Sequence, residues 1–165
     1  MRRALAFAFL CCVALTAQAQ MPLRPFVSGS LAAIEAAQGG RPFLLSFWSV
    51  DCAPCRAELA QLARLARAHP QLTIVLVSTD PPGAAEDVQA VLDQYAPAWA
   101  ERWIFADPFS ERLRFEVDPR WHGELPRSYL YGPGGRVEGI SGPIDPQRLA
   151  AWLKSVLGVL HDGHP

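Results

Sequence analysis

Cysteine is scarce in this chain: four residues among 165, two of them, Cys11 and Cys12, in the apolar opening segment. A disulfide-stapled scaffold holds several cysteines at wide spacings, so that class is excluded. An excess of charge of one sign is also lacking. Fifteen basic residues meet 16 acidic ones for a formal charge of −1, and no basic stripe of the kind that binds nucleic acid is present. There is no internal repeat, low-complexity run or acidic tail. Methionine is limited to Met1 and Met21. No second CxxC and no HxxxH accompanies the one CxxC, at Cys52 and Cys55. His122 stands alone, and His161 and His164 fall in a tail expected to fray. A zinc site therefore lacks its remaining ligands, and neither a metal nor another cofactor is expected. What is present suits one globular domain: half of the residues are hydrophobic and 19% are charged.

The N-terminus has a layout of its own. Met1-Arg2-Arg3 is a short basic start, Ala4 to Leu15 is almost wholly apolar, and Ala17-Gln18-Ala19 supplies small residues two apart. That order predicts a secretory signal peptide over 1–19 and a mature domain over 20–165. The apolar run is shorter than the ~20 residues of a spanning helix, which disfavours a retained membrane anchor. Phe9 and Leu10 before the cysteine pair disfavour a lipoprotein. Cleavage after Ala19 takes the formal charge from −1 to −3 and leaves only Cys52 and Cys55 in an exported chain.

Along the mature chain, Pro22 and Pro25 predict an irregular lead-in over 20–29. Ser30 is expected to cap a helix from Leu31 to Gln38, closed by Gly39-Gly40. Pro42 to Trp48 reads as a buried strand. Pro54 suits the first turn of a helix running to Ala68, with Leu59, Leu62, Ala63 and Ala66 inward. Leu72 to Val77 is a second buried strand, followed by a turn over 79–83. A helix from Ala84 to Tyr95, a strand from Trp103 to Phe105 and a short helix from Phe109 to Phe115 come next. Arg127 to Tyr131 and Arg136 to Ile140 form a hairpin through Gly132-Pro133-Gly134-Gly135. Asp145-Pro146 opens a last helix to Leu157. Trp99, Trp103 and Trp152 are expected in the core. Such alternation predicts an α/β domain with a central, partly parallel sheet and helices on both faces.

The chemistry concentrates at Cys52-Ala53-Pro54-Cys55. A buried strand ends, a short loop carries Cys52, and a helix begins at Pro54. The Cys52 sulfur then lies at the positive helix end among free N–H groups, which favour thiolate over thiol. Cys55 falls one turn on, within bridging distance and more buried. Bridging so small a loop adds little stability, so a reversible redox pair explains the spacing better than a staple. Cys52 would exchange with a partner sulfur, and Cys55 would resolve the mixed disulfide.

The run Phe47-Trp48-x-x-x-Cys52-Ala53-Pro54-Cys55-Arg56, with Leu125-Pro126 downstream, resembles the thioredoxin superfamily. It is most similar to the exported TlpA/ResA-like branch, over roughly residues 30–157. The resemblance implies a thioredoxin fold: a mixed sheet of about five strands, with a helix–strand insertion over 84–105. It also implies a cis-proline at Pro126 facing the CxxC loop, and a substrate-facing rim formed by Trp48, Ala53, Pro54 and Leu125. Leu125 would supply a backbone edge for pairing with substrate. Glu58 would be an acid near the cysteines, against the plainer alternative of a solvated helix carboxylate. Two positions depart from the pattern. Asp51 stands where Trp often precedes the first cysteine, and Ser46 stands where thioredoxins carry a buried Asp. A carboxylate at Asp51 opposes ionisation of Cys52. His122, four residues before Pro126, is a candidate modulator of Cys52.

The function these features imply is thiol–disulfide exchange with periplasmic proteins, in the reductive direction, as in cytochrome c maturation. Electrons would come from a membrane-embedded donor, and a monomer is expected. Three alternatives stay open: a disulfide-forming oxidase, which Ala53-Pro54 disfavours by offering no histidine; a Cu(I)-handling metallochaperone, which the single mature methionine disfavours; and a binding module with a relic CxxC.

Overall fold

A computed structural model describes residues 21–162; the expected signal segment over 1–19 lies outside them. The elements run β1 (Leu23–Phe26), α1 (Ser30–Gln38), β2 (Phe43–Trp48), α2 (Ala53–Ala68), β3 (Thr73–Ser78), α3 (Ala85–Tyr95), β4 (Glu101–Phe105), α4 (Ser110–Val117), β5 (Arg127–Tyr131), β6 (Val137–Ser141) and α5 (Pro146–Asp162). The strands form one sheet in the order β1-β4-β3-β2-β5-β6. β1, β4, β3 and β2 are mutually parallel, and β5 and β6 run antiparallel beside them.

β2 is central, and all six of its residues are buried. A strand covered on both faces reads as an unbroken apolar run, which is why alternation is absent from Phe43 to Trp48. Its side chains still divide by face. Leu44 and Trp48 join the cores of α2, α3 and α5. Phe43, Leu45 and Phe47 join Ile34 of α1 and Leu113 of α4 on the other side. In α2 the buried residues are Cys55, Glu58, Leu59, Leu62, Ala63 and Ala66, the three-and-four spacing of one helical face. Burying each of these leucines contributes roughly 1.5–3 kcal/mol.

Several expectations are corrected. The sheet has six strands, because the lead-in forms β1 and pairs with β4 from Leu23↔Arg102 to Phe26↔Phe105. Proline is tolerated on an edge strand, where one side needs no ladder bonds. Phe26 draws the segment in: its ring is 2% exposed and stacks on Phe105 at 5.4 Å. Ser30 is the first residue of α1, not its cap; Gly29 caps at φ 83°, and Ser30 Oγ accepts from the Val27 N–H at 2.9 Å. Trp99 is 43% exposed because the Pro97–Ala100 turn sends Ala100 inward instead. α5 continues past Leu157 to Asp162 and so takes in position 161, which was expected to fray. Trp152 is buried as expected, and Trp103 is half-buried against Phe26. The expected insertion is α3 with β4. Among the described residues, no helix is long and apolar enough to cross a membrane.

Candidate active site

β2 ends at Trp48, and the chain turns through Ser49, Val50 and Asp51 to Cys52, which caps α2. Pro54 lies in the first turn, where its missing N–H costs no helix bond. Cys52 and Cys55 are joined as a disulfide, with Cα atoms 5.2 Å apart. The Cys55 N–H donates to Cys52 Sγ at 3.2 Å, so a helix-end donor points at that sulfur. Exposure separates the two cysteines. Cys55 is 0% exposed and Cys52 is half-buried, flanked by exposed Asp51, Ala53 and Pro54.

The loop before Cys52 is held by Asp80 and Arg56. Asp80 Oδ2 accepts from the Val50 N–H at 3.0 Å and from the Ser78 hydroxyl at 2.6 Å. Arg56 donates to the Val50 carbonyl at 2.6 Å. The two peptide groups flanking Val50 are thus held, one by a carboxylate from the β3 end and the other by a guanidinium from α2. The Thr79 N–H bonds the Trp48 carbonyl at 2.9 Å, which continues the β2–β3 ladder toward the loop. Asp80 is 30 positions from Val50, so no local pattern announces the contact.

Three residues after Cys55 on α2, Glu58 is 2% exposed. The alternative of a solvated helix carboxylate is therefore excluded. Its Oε1 accepts from Ser46 Oγ at 3.0 Å and Ser128 Oγ at 2.8 Å, and its Oε2 from the Ile144 N–H at 2.9 Å. The missing strand carboxylate at Ser46 is answered from the helix: Glu58 brings a carboxylate to that position. No cation is paired with it among the described residues.

Phe47 of β2 is opposite Arg127 of β5, so the chain leaving β2 for Cys52 and the chain entering β5 through Leu125-Pro126 emerge side by side. The Leu125–Pro126 bond is cis. Leu125 is half-buried against the cluster that contains Cys55, and its own N–H and carbonyl bond no other described residue. Trp48 is wholly buried, so it serves the core and presents no surface to a partner in this state. His122 is exposed, and its backbone N–H is held by Glu124.

Behind the sheet, a cleft of about 630 Å³ is lined by Glu35, Asp118, Glu124, Arg127, Tyr129 and Tyr131 among others. Arg127 donates to Asp118 Oδ2 at 2.7 Å, Tyr129 Oη at 3.0 Å, Glu124 Oε1 at 3.4 Å and Ser141 Oγ. Burial raises the Glu124 carboxyl, but the Ser141 hydroxyl, backbone donors and Arg127 outweigh it and hold the group below its usual range. Asp118 is held low chiefly by the Arg120 N–H, with both arginines adding to the effect. Among the described residues, no three His, Cys, Asp or Glu side chains converge as metal ligands.

A buried-strand, cysteine-loop, helix unit facing a proline loop defines a thioredoxin-fold dithiol protein. No protein-family model matches the sequence. It is 28% identical over 117 residues to sporulation thiol-disulfide oxidoreductase A of Bacillus subtilis, covering 70% of this chain and 68% of that protein. To thiol-disulfide oxidoreductase ResA of Oceanobacillus iheyensis it is 24% identical over 119 residues, covering 71% of this chain and 58% of the relative. Among solved structures, a secreted Mycobacterium tuberculosis disulfide oxidoreductase homologous to E. coli DsbE superposes with a TM-score of 0.59 at 21% identity, covering 72% of this chain and 84% of that one. The chain thus has the thioredoxin fold, with a CxxC pair joined as a disulfide, and is similar to thiol–disulfide oxidoreductases of the ResA kind.

Proposed function

We propose that the chain reduces disulfides of exported proteins, with Cys52 as the attacking sulfur and Cys55 as the resolving one. The observation that carries this reading is the difference in exposure between the two joined cysteines at the start of α2. In the reduced protein, the Cys52 thiolate attacks a partner disulfide. A Cys52–partner bond forms and one partner thiolate leaves. The Cys55 thiolate then attacks Cys52 Sγ, releasing the second partner thiolate and closing the Cys52–Cys55 disulfide. Two electrons have passed to the partner. A donor dithiol, membrane-embedded by family resemblance, returns them by the reverse exchange.

The remaining roles belong to the same reading. Pro126 shapes the loop facing the disulfide, while Leu125, with its unbonded backbone groups, offers an edge to the partner strand. Ala53 and Pro54 form the exposed rim. Glu58 lies beneath the cysteines as a proton-handling group that relieves Cys55 of its proton during resolution. The domain works as a monomer on the periplasmic side after removal of 1–19, and needs no metal or other cofactor. Trapping tests the assignment. Cys55→Ser should accumulate a mixed disulfide with a polypeptide substrate through Cys52, and Cys52→Ser should accumulate none. Equal trapping by both variants would sink it.

A further inference from the structure

We infer that Glu124 is a positioning residue for the polypeptide substrate, holding the Leu125 edge in its pairing conformation. The inference rests on the proposed pairing of Leu125 with a partner strand. Glu124 directly precedes Leu125 and bonds three separate parts of the structure. Its Oε2 accepts from the His122 N–H at 3.1 Å, within the same loop. Its Oε1 accepts from Ser141 Oγ at 2.7 Å, on β6, and from Arg127 at 3.4 Å, on β5. Its carbonyl accepts from the buried Trp121 indole N–H at 2.9 Å. Beyond Leu125, the Pro126 carbonyl accepts from the Gly142 N–H at 2.9 Å.

The loop is therefore pinned immediately on either side of Leu125, whose own two backbone groups bond no other described residue. Ordering such an edge before binding lowers the entropy that the complex must surrender. The back wall supports the clamp. Arg127 and Tyr129 lie so close over β6 that a Cβ at Gly139 would come within 3.0 Å of the guanidinium and 3.2 Å of the tyrosine ring. Glu124 itself is 40% exposed on its side chain, so it is available at the surface without being a buried structural charge.

The test uses the mature chain with insulin as polypeptide disulfide and dithiothreitol as donor. Glu124→Ala should raise KM for insulin about tenfold while kcat stays within about twofold, because lost pre-organisation acts on binding. Glu124→Gln retains one acceptor oxygen and should fall between the two. Ser141→Ala, on an exposed edge strand, removes one partner and should raise KM about threefold. A purely structural role would lower the active fraction, and with it kcat, leaving KM alone. Unchanged KM in both Glu124→Ala and Ser141→Ala overturns the inference. If the wild-type chain itself turns over insulin no faster than a small disulfide such as oxidised glutathione, the underlying pairing reading fails instead.

Discussion

Two neighbouring residues of β5 face opposite sides of the sheet and enter unlike polar networks. Ser128 turns toward α2 and bonds Glu58, a buried carboxylate met by two hydroxyls and one N–H, with no cation. Arg127 turns the other way into a compensated group, with Asp118 and Glu124 as counter-charges. A buried carboxylate met only by hydroxyls and an N–H depends on those hydrogen bonds, whereas Asp118 and Glu124 are held in their charged form by donors and arginines. The first network gathers on the α2 residue one helical turn after Cys55, and the second braces the loop that holds Leu125 and Pro126.

Each side of that contrast can be broken separately. Arg127→Met leaves Asp118 with only the exposed Arg120 as cation and should cost about 1–3 kcal/mol in a denaturant titration, while leaving the potential of the cysteine pair alone. A loss below about 1 kcal/mol would show that the pair is not the brace it resembles. Glu58→Gln keeps the volume and one acceptor oxygen. It should cost about 1–2 kcal/mol of stability but slow the exchange step tenfold or more in stopped-flow measurements. An unaltered rate would make Glu58 as structural as Asp118.

Acid sharpens the comparison further. Asp118 and Glu124 are held below their usual values in the folded chain, so they bind protons more weakly there than when unfolded. Their contribution is present above about pH 4 and is lost as pH falls through the depressed values. Thermal melts from pH 6 to pH 2 should show the midpoint dropping in that window; a flat profile would contradict the network. The smallest effect belongs to Trp99→Ala, within about 0.5 kcal/mol by denaturant titration, since 43% of the residue already meets solvent.

The fold was largely legible because its signals are local. The apolar run of β2, the Pro54 start of α2 and the glycine turn before β6 each declare themselves within a few residues. β1 was hidden because Pro22 and Pro25 argue against a strand, and only the parallel partner at β4 and the burial of Phe26 override them. Trp99 misled for the converse reason: its composition says core, and the turn around it says surface. At the site, Cys52 and Cys55 were readable from spacing alone. Glu58 was readable as a candidate, but its burial depends on Ser46, Ser128 and Ile144, which come from distant parts of the chain. Asp80 and Glu124 gave no signal, since each acts through contacts that only the folded sheet assembles.

The central claim is that Cys52 and Cys55 form a reducing couple. The reduction potential of the mature domain, measured by equilibration with dithiothreitol and glutathione buffers, tests it most directly. A reducing couple should give a value near or below about −270 mV, in the thioredoxin range. A value near about −120 mV would contradict the reductive direction and make the chain an oxidant of partner thiols.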